Sequence, residues 1–202
     1  MQIGKSKFNW KRLGLAVAPF LLLFVAINFP YFLHQIKYFF RKPPMVFQDP
    51  NSFAAQEKIE PNTLIINSLG IKFPVVYVDE INEDVFQDAL QYGVVHYPDT
   101  ALPGQFGNVY IFGHSSDYAW ARGNYKTAFT LLPRIQKGTQ IMISDSEGKP
   151  YIYKVIETKV VKPTDLSVLD QQNNSKKLLS LQTSYPLGTA ISRFIVVAEI
   201  EE

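Results

Sequence analysis

The chain reads as a mainly β protein, a closed β-barrel with short covering helices, preceded by one transmembrane helix. Three observations carry that reading: a series of short β-branched and aromatic runs divided by turn residues, two brief stretches of helical periodicity between them, and one long uncharged stretch near the start. At 202 residues the chain suits one domain plus an appendage. The expected divisions are 1–12 as a cytosolic N-terminus, 13–33 as the transmembrane helix, 34–60 as a juxtamembrane stalk and 61–202 as the barrel.

Leu13 to Leu33 contains no charged residue, and as a helix it spans roughly 30 Å, the thickness of a hydrocarbon core. Pro19, Asn28 and Pro30 weaken it locally, while Phe29, Tyr31 and Phe32 suit an interfacial aromatic belt. A cleaved signal peptide is the competing reading, but no small-x-small site follows the run, which is also long for such a segment. Lys5, Lys7, Lys11 and Arg12 precede the span, and Lys37, Arg41 and Lys42 follow it. That bias of about one charge favours a cytosolic N-terminus and an extracytoplasmic domain. His34 falls at the membrane boundary, and Pro43-Pro44 breaks the stalk.

Beyond the stalk, strands are expected at Thr63 to Asn67, Ile71 to Val78, Gly107 to Gly113, Gln140 to Ser144, Tyr151 to Val161, Leu178 to Thr183 and Phe194 to Ile200. So many short strands with few helical signals argue for a closed barrel. Helices are expected over Ile81 to Tyr92, where Val85, Phe86, Ala89 and Leu90 recur at helical spacing with Gly93 as a stop, and over Ala128 to Ile135, which carries Pro133. Lys162 to Lys177 is polar and is the longest irregular segment of the domain.

Composition narrows the function. Lys and Arg total 20 against 18 Asp and Glu, so no charge excess points to nucleic acid. The absence of cysteine excludes disulfides, Cys-ligated metal and thiol chemistry for the chain as written. No carboxylate pair, histidine cluster with metal spacing or Gly-x-Ser-x-Gly signature is visible.

The most informative stretch is Ser180-Leu181-Gln182-Thr183-Ser184-Tyr185-Pro186-Leu187-Gly188, followed by Arg193 and the run Phe194 to Ala198. A strand ends in hydroxyl residues, a Pro/Gly turn follows, and an antiparallel return brings a guanidinium beside Ser184. Far upstream, Gly107 to Phe112 leads into Gly113-His114, after the loop Tyr97 to Gly104. Together these residues resemble the sortase family, whose signature is Thr-Leu-x-Thr-Cys with an Arg eight to a dozen or so residues later and a histidine at the end of an earlier strand. The resemblance runs over roughly residues 60 to 200, in the family's order.

The resemblance implies an acyl-transfer enzyme of the cell membrane that cleaves a sorting-signal peptide of exported proteins and passes it to an amine acceptor at the cell surface, without a cofactor. By the same resemblance, Ser184 takes the nucleophile position, His114 carries the proton for the leaving amine, and Arg193 holds the oxyanion or the substrate backbone. His96 competes as a base, with a structural hydrogen bond the favoured reading. Ser115, Ser116 and Thr183 are candidate groove residues, Asp99 and Asp117 are nominal third members of a triad, and the Lys162 to Lys177 loop is expected to wall the groove.

Ser184 departs from the family at the nucleophile. A thiol ionises readily, whereas a hydroxyl keeps its proton at neutral pH and requires an aligned, unprotonated base. Three origins fit: a substitution that silences the enzyme, a pseudo-sortase that binds sorting peptides or serves as a surface scaffold, and a serine variant with a rearranged base.

Overall fold

The computed structural model describes residues 10–27, 29, 33, 36, 59–116, 122–171 and 175–201. Eight strands follow in chain order: β1 (Thr63–Ile66), β2 (Ile71–Tyr77), β3 (Val94–His96), β4 (Gly107–Phe112), β5 (Gln140–Ser144), β6 (Pro150–Val161), β7 (Lys177–Tyr185) and β8 (Ser192–Ile200). They close into a barrel in the order β1-β2-β3-β4-β7-β8-β6-β5, with β5 returning to β1. Two neighbours, β2/β3 and β4/β7, run parallel, and the remaining pairs are antiparallel.

Alternation decides which side chains fill the interior. Leu179, Leu181 and Thr183 on β7, and Phe194, Val196 and Ala198 on β8, point inward and are buried. They meet Val109 and Ile111 of β4 and Ile141 and Ile143 of β5 in one apolar core. Tyr153 is fully buried in that core, and its hydroxyl accepts a 2.9 Å bond from the Gly104 amide, so its polar end is satisfied. Burial, with the nearby Asp145 and Tyr153 groups, leaves little room for charge here: the Tyr77 phenol is pushed up to about 12, chiefly by desolvation.

Both helical expectations shorten. The first becomes α2 (Glu83–Ala89), with α1 (Trp10–Ile27) preceding it in the chain. The Asn82 side chain caps α2 by accepting from the Asp84 amide at 2.9 Å, and Glu83 and Asp84 place negative charge in its first turn. Phe86, Ala89 and Leu90 pack on Val95 outside the barrel, so α2 covers its outer face. The second stretch is not an α-helix but a set of turns ending in a 3₁₀ segment, Leu132–Arg134. One of its amides is committed elsewhere, Phe129 N–H reaching His114 O at 2.9 Å, while others close i to i−3 turns, and Ala128, Phe129, Leu131 and Leu132 enter the main core. Tertiary packing overrides helical periodicity there.

The 18-residue α1 contains Pro19 and exposes Phe20, Leu21, Leu22 and Leu23. Among the described residues no helix is long and apolar enough to cross a membrane. Most of the expected span beyond Ile27, and the stalk up to residue 58, lie outside the described residues.

Strand β3 has only three residues and was not expected from the sequence. It fits because Gly93 lets β3 approach β2 closely: a Cβ there would lie 2.3 Å from the Pro74 carbonyl oxygen. Gly93 therefore acts through space, and Gly93→Ala is expected to destabilise the domain by about 1–3 kcal/mol through overpacking. Urea unfolding of the two forms measures it, and an unchanged midpoint would refute the close-approach role.

Candidate active site

Strand β7 lies between β4 on one edge and β8 on the other. In the antiparallel β7–β8 ladder Ser184 sits directly across from Arg193, and Gln182 across from Ile195. Cross-strand partners share a face and residues two apart on one strand do too, so Gln182, Ser184, Ile195 and Arg193 all face away from the barrel interior. Thr183, between them, points inward and is 2% exposed.

The parallel partner brings the histidine. Beyond Phe112, the Gly113 amide continues the ladder to Gln182 O at 3.1 Å, and the Thr183 hydroxyl donates to Gly113 O at 2.9 Å. His114 is the next residue, and its own carbonyl is held by Phe129 N–H. A side chain at position 113 would meet Phe129 at 2.9 Å and Val94 at 3.0 Å, so glycine is required by packing where the strand delivers His114. The β7–β8 turn is tied to the same region, because Gly188 N–H reaches the Ser116 hydroxyl at 3.1 Å.

His114, Ser184 and Arg193 line one cleft of about 280 Å³. Its floor is the outer face of β4, β7 and β8, with Tyr110, Phe112 and Gln182 contributing. One wall is α2, through Glu83, Phe86, Gln87 and Leu90, and the other is the segment after β6, through Pro163, Asp165, Leu166, Val168 and Leu169. The polar Lys162 to Lys177 segment thus walls the cleft as expected. Its 3₁₀ turn, Leu166–Leu169, is capped by Asp165, whose carboxylate accepts from the Ser167 amide at 3.1 Å and the Ser167 hydroxyl at 2.6 Å. Those bonds hold the Asp165 carboxyl below the usual range. Gln171 anchors the far end by accepting from Ala101 N–H (3.2 Å) and Asn108 N–H (3.0 Å) and donating to Asn108 O and Leu169 O, both at 3.0 Å.

Arg193 Nη1 donates at 3.2 Å to the carbonyls of Ala190 and Ser192, which folds the guanidinium back along its own turn. Ser115 is buried, and its carbonyl accepts from the Thr130 hydroxyl, so it supports the loop and does not line the cleft. Asp99 occupies a left-handed turn at φ 59° and is absent from the cleft lining, while Asp117 lies outside the described residues.

His96 has the structural role. It is buried, its ring lies 4.8 Å from the Tyr77 ring, and its Nε2 donates to Ala101 O at 3.0 Å, close to the Thr100 hydroxyl at 3.1 Å. It does not line the cleft. Tyr110 and Gln182 are cleft residues that motif matching does not reveal. The signal is strand alternation: Val109, Ile111, Leu181 and Thr183 face inward, so their neighbours must face the cleft.

The sortase domain family matches residues 64–201. This chain belongs to the sortase family. Sortase D of Bacillus subtilis (strain 168) is 29% identical over 136 residues, which cover 66% of this chain and 60% of that protein. Sortase A of Listeria monocytogenes serovar 1/2a (strain ATCC BAA-679 / EGD-e) is 30% identical over 97 residues, covering 43% of this chain and 42% of the relative. The chain therefore spans at most 60% of the length of these two relatives. The crystal structure of sortase C-1 from Actinomyces oris superimposes with a TM-score of 0.59 at 25% identity, over 80% of this chain and 87% of that one. The sortase barrel is thus the frame in which the cleft is built.

Burial holds the His96 imidazole below its ordinary pKa of 6.5, against the opposing effect of the Ala101 bond. The unfolded chain then takes up a proton at a pH where the folded one does not. Stability contributed by neutral His96 is complete above the unfolded value and is lost as pH falls through it toward the lower folded value. Between about pH 7.5 and 5.5 the wild-type stability is expected to fall, with a His96 contribution of at most about 1.4 kcal/mol per pH unit, and His96→Gln should flatten that slope. Urea unfolding at several pH values reads it, and parallel slopes for the two proteins would contradict the assignment.

Proposed function

We propose that this chain is a membrane-anchored transpeptidase of the sortase type that cleaves a sorting-signal peptide and transfers it to an amine acceptor at the cell surface, with turnover impaired by Ser184. The observation that carries this reading is the Ser184–Arg193 pair at the cleft that His114 also lines. In the proposed reaction the residue 184 nucleophile attacks the scissile carbonyl carbon as its proton passes to His114, and the C–N bond breaks as His114 gives that proton to the leaving amine. The acceptor amine then attacks the acyl-enzyme, losing a proton to His114, which returns it to residue 184 as the acyl bond breaks and the new amide forms. Arg193, which stays charged and presents a planar fork of donors, stabilises the oxyanion or holds the substrate backbone.

The serine limits the first step. Its hydroxyl must lose a proton as it attacks, so it requires an aligned, unprotonated base. A thiolate needs no such help. The second reading, a pseudo-sortase that binds sorting peptides or acts as a scaffold without turnover, rests on the same serine.

The membrane anchor is supported by the uncharged run Leu13 to Leu33 and by the exposed apolar side chains Phe20 to Leu23 of α1. The catalytic domain would then be extracytoplasmic. Retention in the membrane after carbonate washing, with cleavage of the Gln48 to Glu60 segment by protease added outside intact cells, is the expected outcome. Release of a soluble chain, or protection of that segment, would defeat the anchor or reverse its topology.

The decisive chemical test is Ser184→Cys. Offered a library of labelled peptides and an amine acceptor, this form is expected to gain a thioester adduct and transfer at least about 100-fold faster than the serine form, since only the ionisable nucleophile changes. The gain should vanish in the Ser184→Cys, His114→Ala double variant, and Arg193→Lys should not replace Arg193 in the same background. Neither adduct nor transfer in the folded Ser184→Cys form would favour the pseudo-sortase reading.

A further inference from the structure

The outer face of β7 presents Gln182 two residues before Ser184, and both line the cleft. Along a strand that separation is about 7 Å, the length of two residues of an extended peptide. Below Gln182 the floor is apolar: Tyr110, Val168 and Ile195 form one buried cluster, with Ile195 directly across the ladder from Gln182. A polar side chain set over such a floor is oriented by whatever it can bond, and here the partner is defined. The Tyr110 hydroxyl donates to Gln182 Oε1 at 2.7 Å.

That bond fixes the amide. A phenol with a buried oxygen is a donor that stays neutral, and burial pushes the Tyr110 group further from ionisation despite the nearby Arg193 charge. With Oε1 committed to Tyr110, the Nε2 hydrogens point away from it, and among the described residues nothing accepts from Nε2. The two acidic groups on the walls have partners of their own: Asp165 Oδ1 accepts from Ser167, and Glu83 Oε1 accepts from Gln87. The cleft therefore offers an oriented amide donor over an apolar floor, where a hydrogen bond is stronger than in water and an unmatched donor costly.

We propose that Gln182 is a specificity-determining residue of the cleft, its Nε2 donating to a carbonyl oxygen of the bound peptide about two residues from the bond that breaks, with Tyr110 as its positioning residue. The inference rests on the peptide-processing function proposed above. The acceptor is a carbonyl, which a peptide supplies from its backbone or from a side-chain amide or carboxyl group.

The experiment uses the full chain with Ser184→Cys and a pool of N-terminally labelled decapeptides randomised at five central positions, with thioester adducts read by mass spectrometry. The best-acylated peptide is remade with thioamides replacing single backbone amides, and separately with alanine at single side chains. Gln182→Leu is expected to raise KM for the parent peptide about five- to ten-fold with a much smaller change in kcat. The loss should disappear on the one peptide lacking the acceptor two residues from the cleaved bond: a thioamide form for a backbone source, an alanine form for a side-chain source. Tyr110→Phe should give a smaller loss with the same peptide pattern, because the amide is then free to turn. Gln182→Glu, which keeps the size and removes the donor, should lose at least as much as Gln182→Leu and serves where the leucine form does not fold. An unchanged KM in the folded Gln182 variants, or a loss equal on every remade peptide, overturns the assignment. If the Ser184→Cys parent acylates with no peptide of the pool, the peptide-processing reading fails and this inference falls with it, whereas a parent that acylates isolates the result to Gln182.

Discussion

Strand β7 must hold two registers at once, parallel to β4 and antiparallel to β8, and the cleft exists only while both hold. The first brings the segment ending in His114 beside Gln182 and Thr183, and the second sets Arg193 across from Ser184. Because side chains alternate with a period of two, a one-residue slip of β7 would turn Ser184 into the core and Thr183 out to solvent. The Thr183 hydroxyl bond to Gly113 O locks the parallel register at its far end, next to the histidine. An inward-facing hydroxyl that looks incidental to the chemistry therefore fixes the position of groups on two strands.

Much of this was legible in the sequence, for physical reasons that differ by element. The long strands were readable because buried β-runs such as Leu178 to Thr183 and Phe194 to Ile200 carry strong composition and turn signals at their ends. The site was readable because the histidine strand and the Ser184 hairpin each carry glycine or proline where the backbone must turn or approach closely. Strand β3 was not, since three residues give no periodicity and its pairing depends on contact between Gly93 and Pro74, distant in sequence. The segment around Phe129 misled in the opposite direction. Its apolar spacing suits a helix, but Phe129 N–H is needed by His114 O, and the apolar side chains fill the barrel from its end.

The cleft walls follow another logic. Helix α2 was predictable from its own pattern, whereas the segment after β6 has no periodicity and is ordered by side-chain clamps, Asp165 at one end and Gln171 at the other. Gln171 alone engages four backbone groups drawn from three segments. A polar stretch of this kind reads as a loop in sequence because its order comes from residues far from it in the chain. Electrostatics divides the region in the same way. His96, buried against Tyr77, is kept neutral as a structural group, and His114 lines the cleft at the end of its strand.

Closure of the barrel limits how any extended ligand can be recognised. Among the described residues each of the eight strands has a hydrogen-bonded neighbour on both sides, over part of its length in β6, where Glu157 to Val161 pairs with β8 alone, and at the cleft floor over the whole stretch Leu178 to Gln182 of β7. Along that stretch of β7 the backbone pairing by which a sheet edge grips an added strand is already taken up by β4 and β8. For the proposed peptide ligand, recognition on that floor falls instead to side chains standing on the outer face of β4, β7 and β8 and to the two walls above them. A floor strand paired on both sides would thus turn capture of such a peptide from a matter of strand addition into one of individual donors and apolar contacts, set residue by residue on the surface of the cleft.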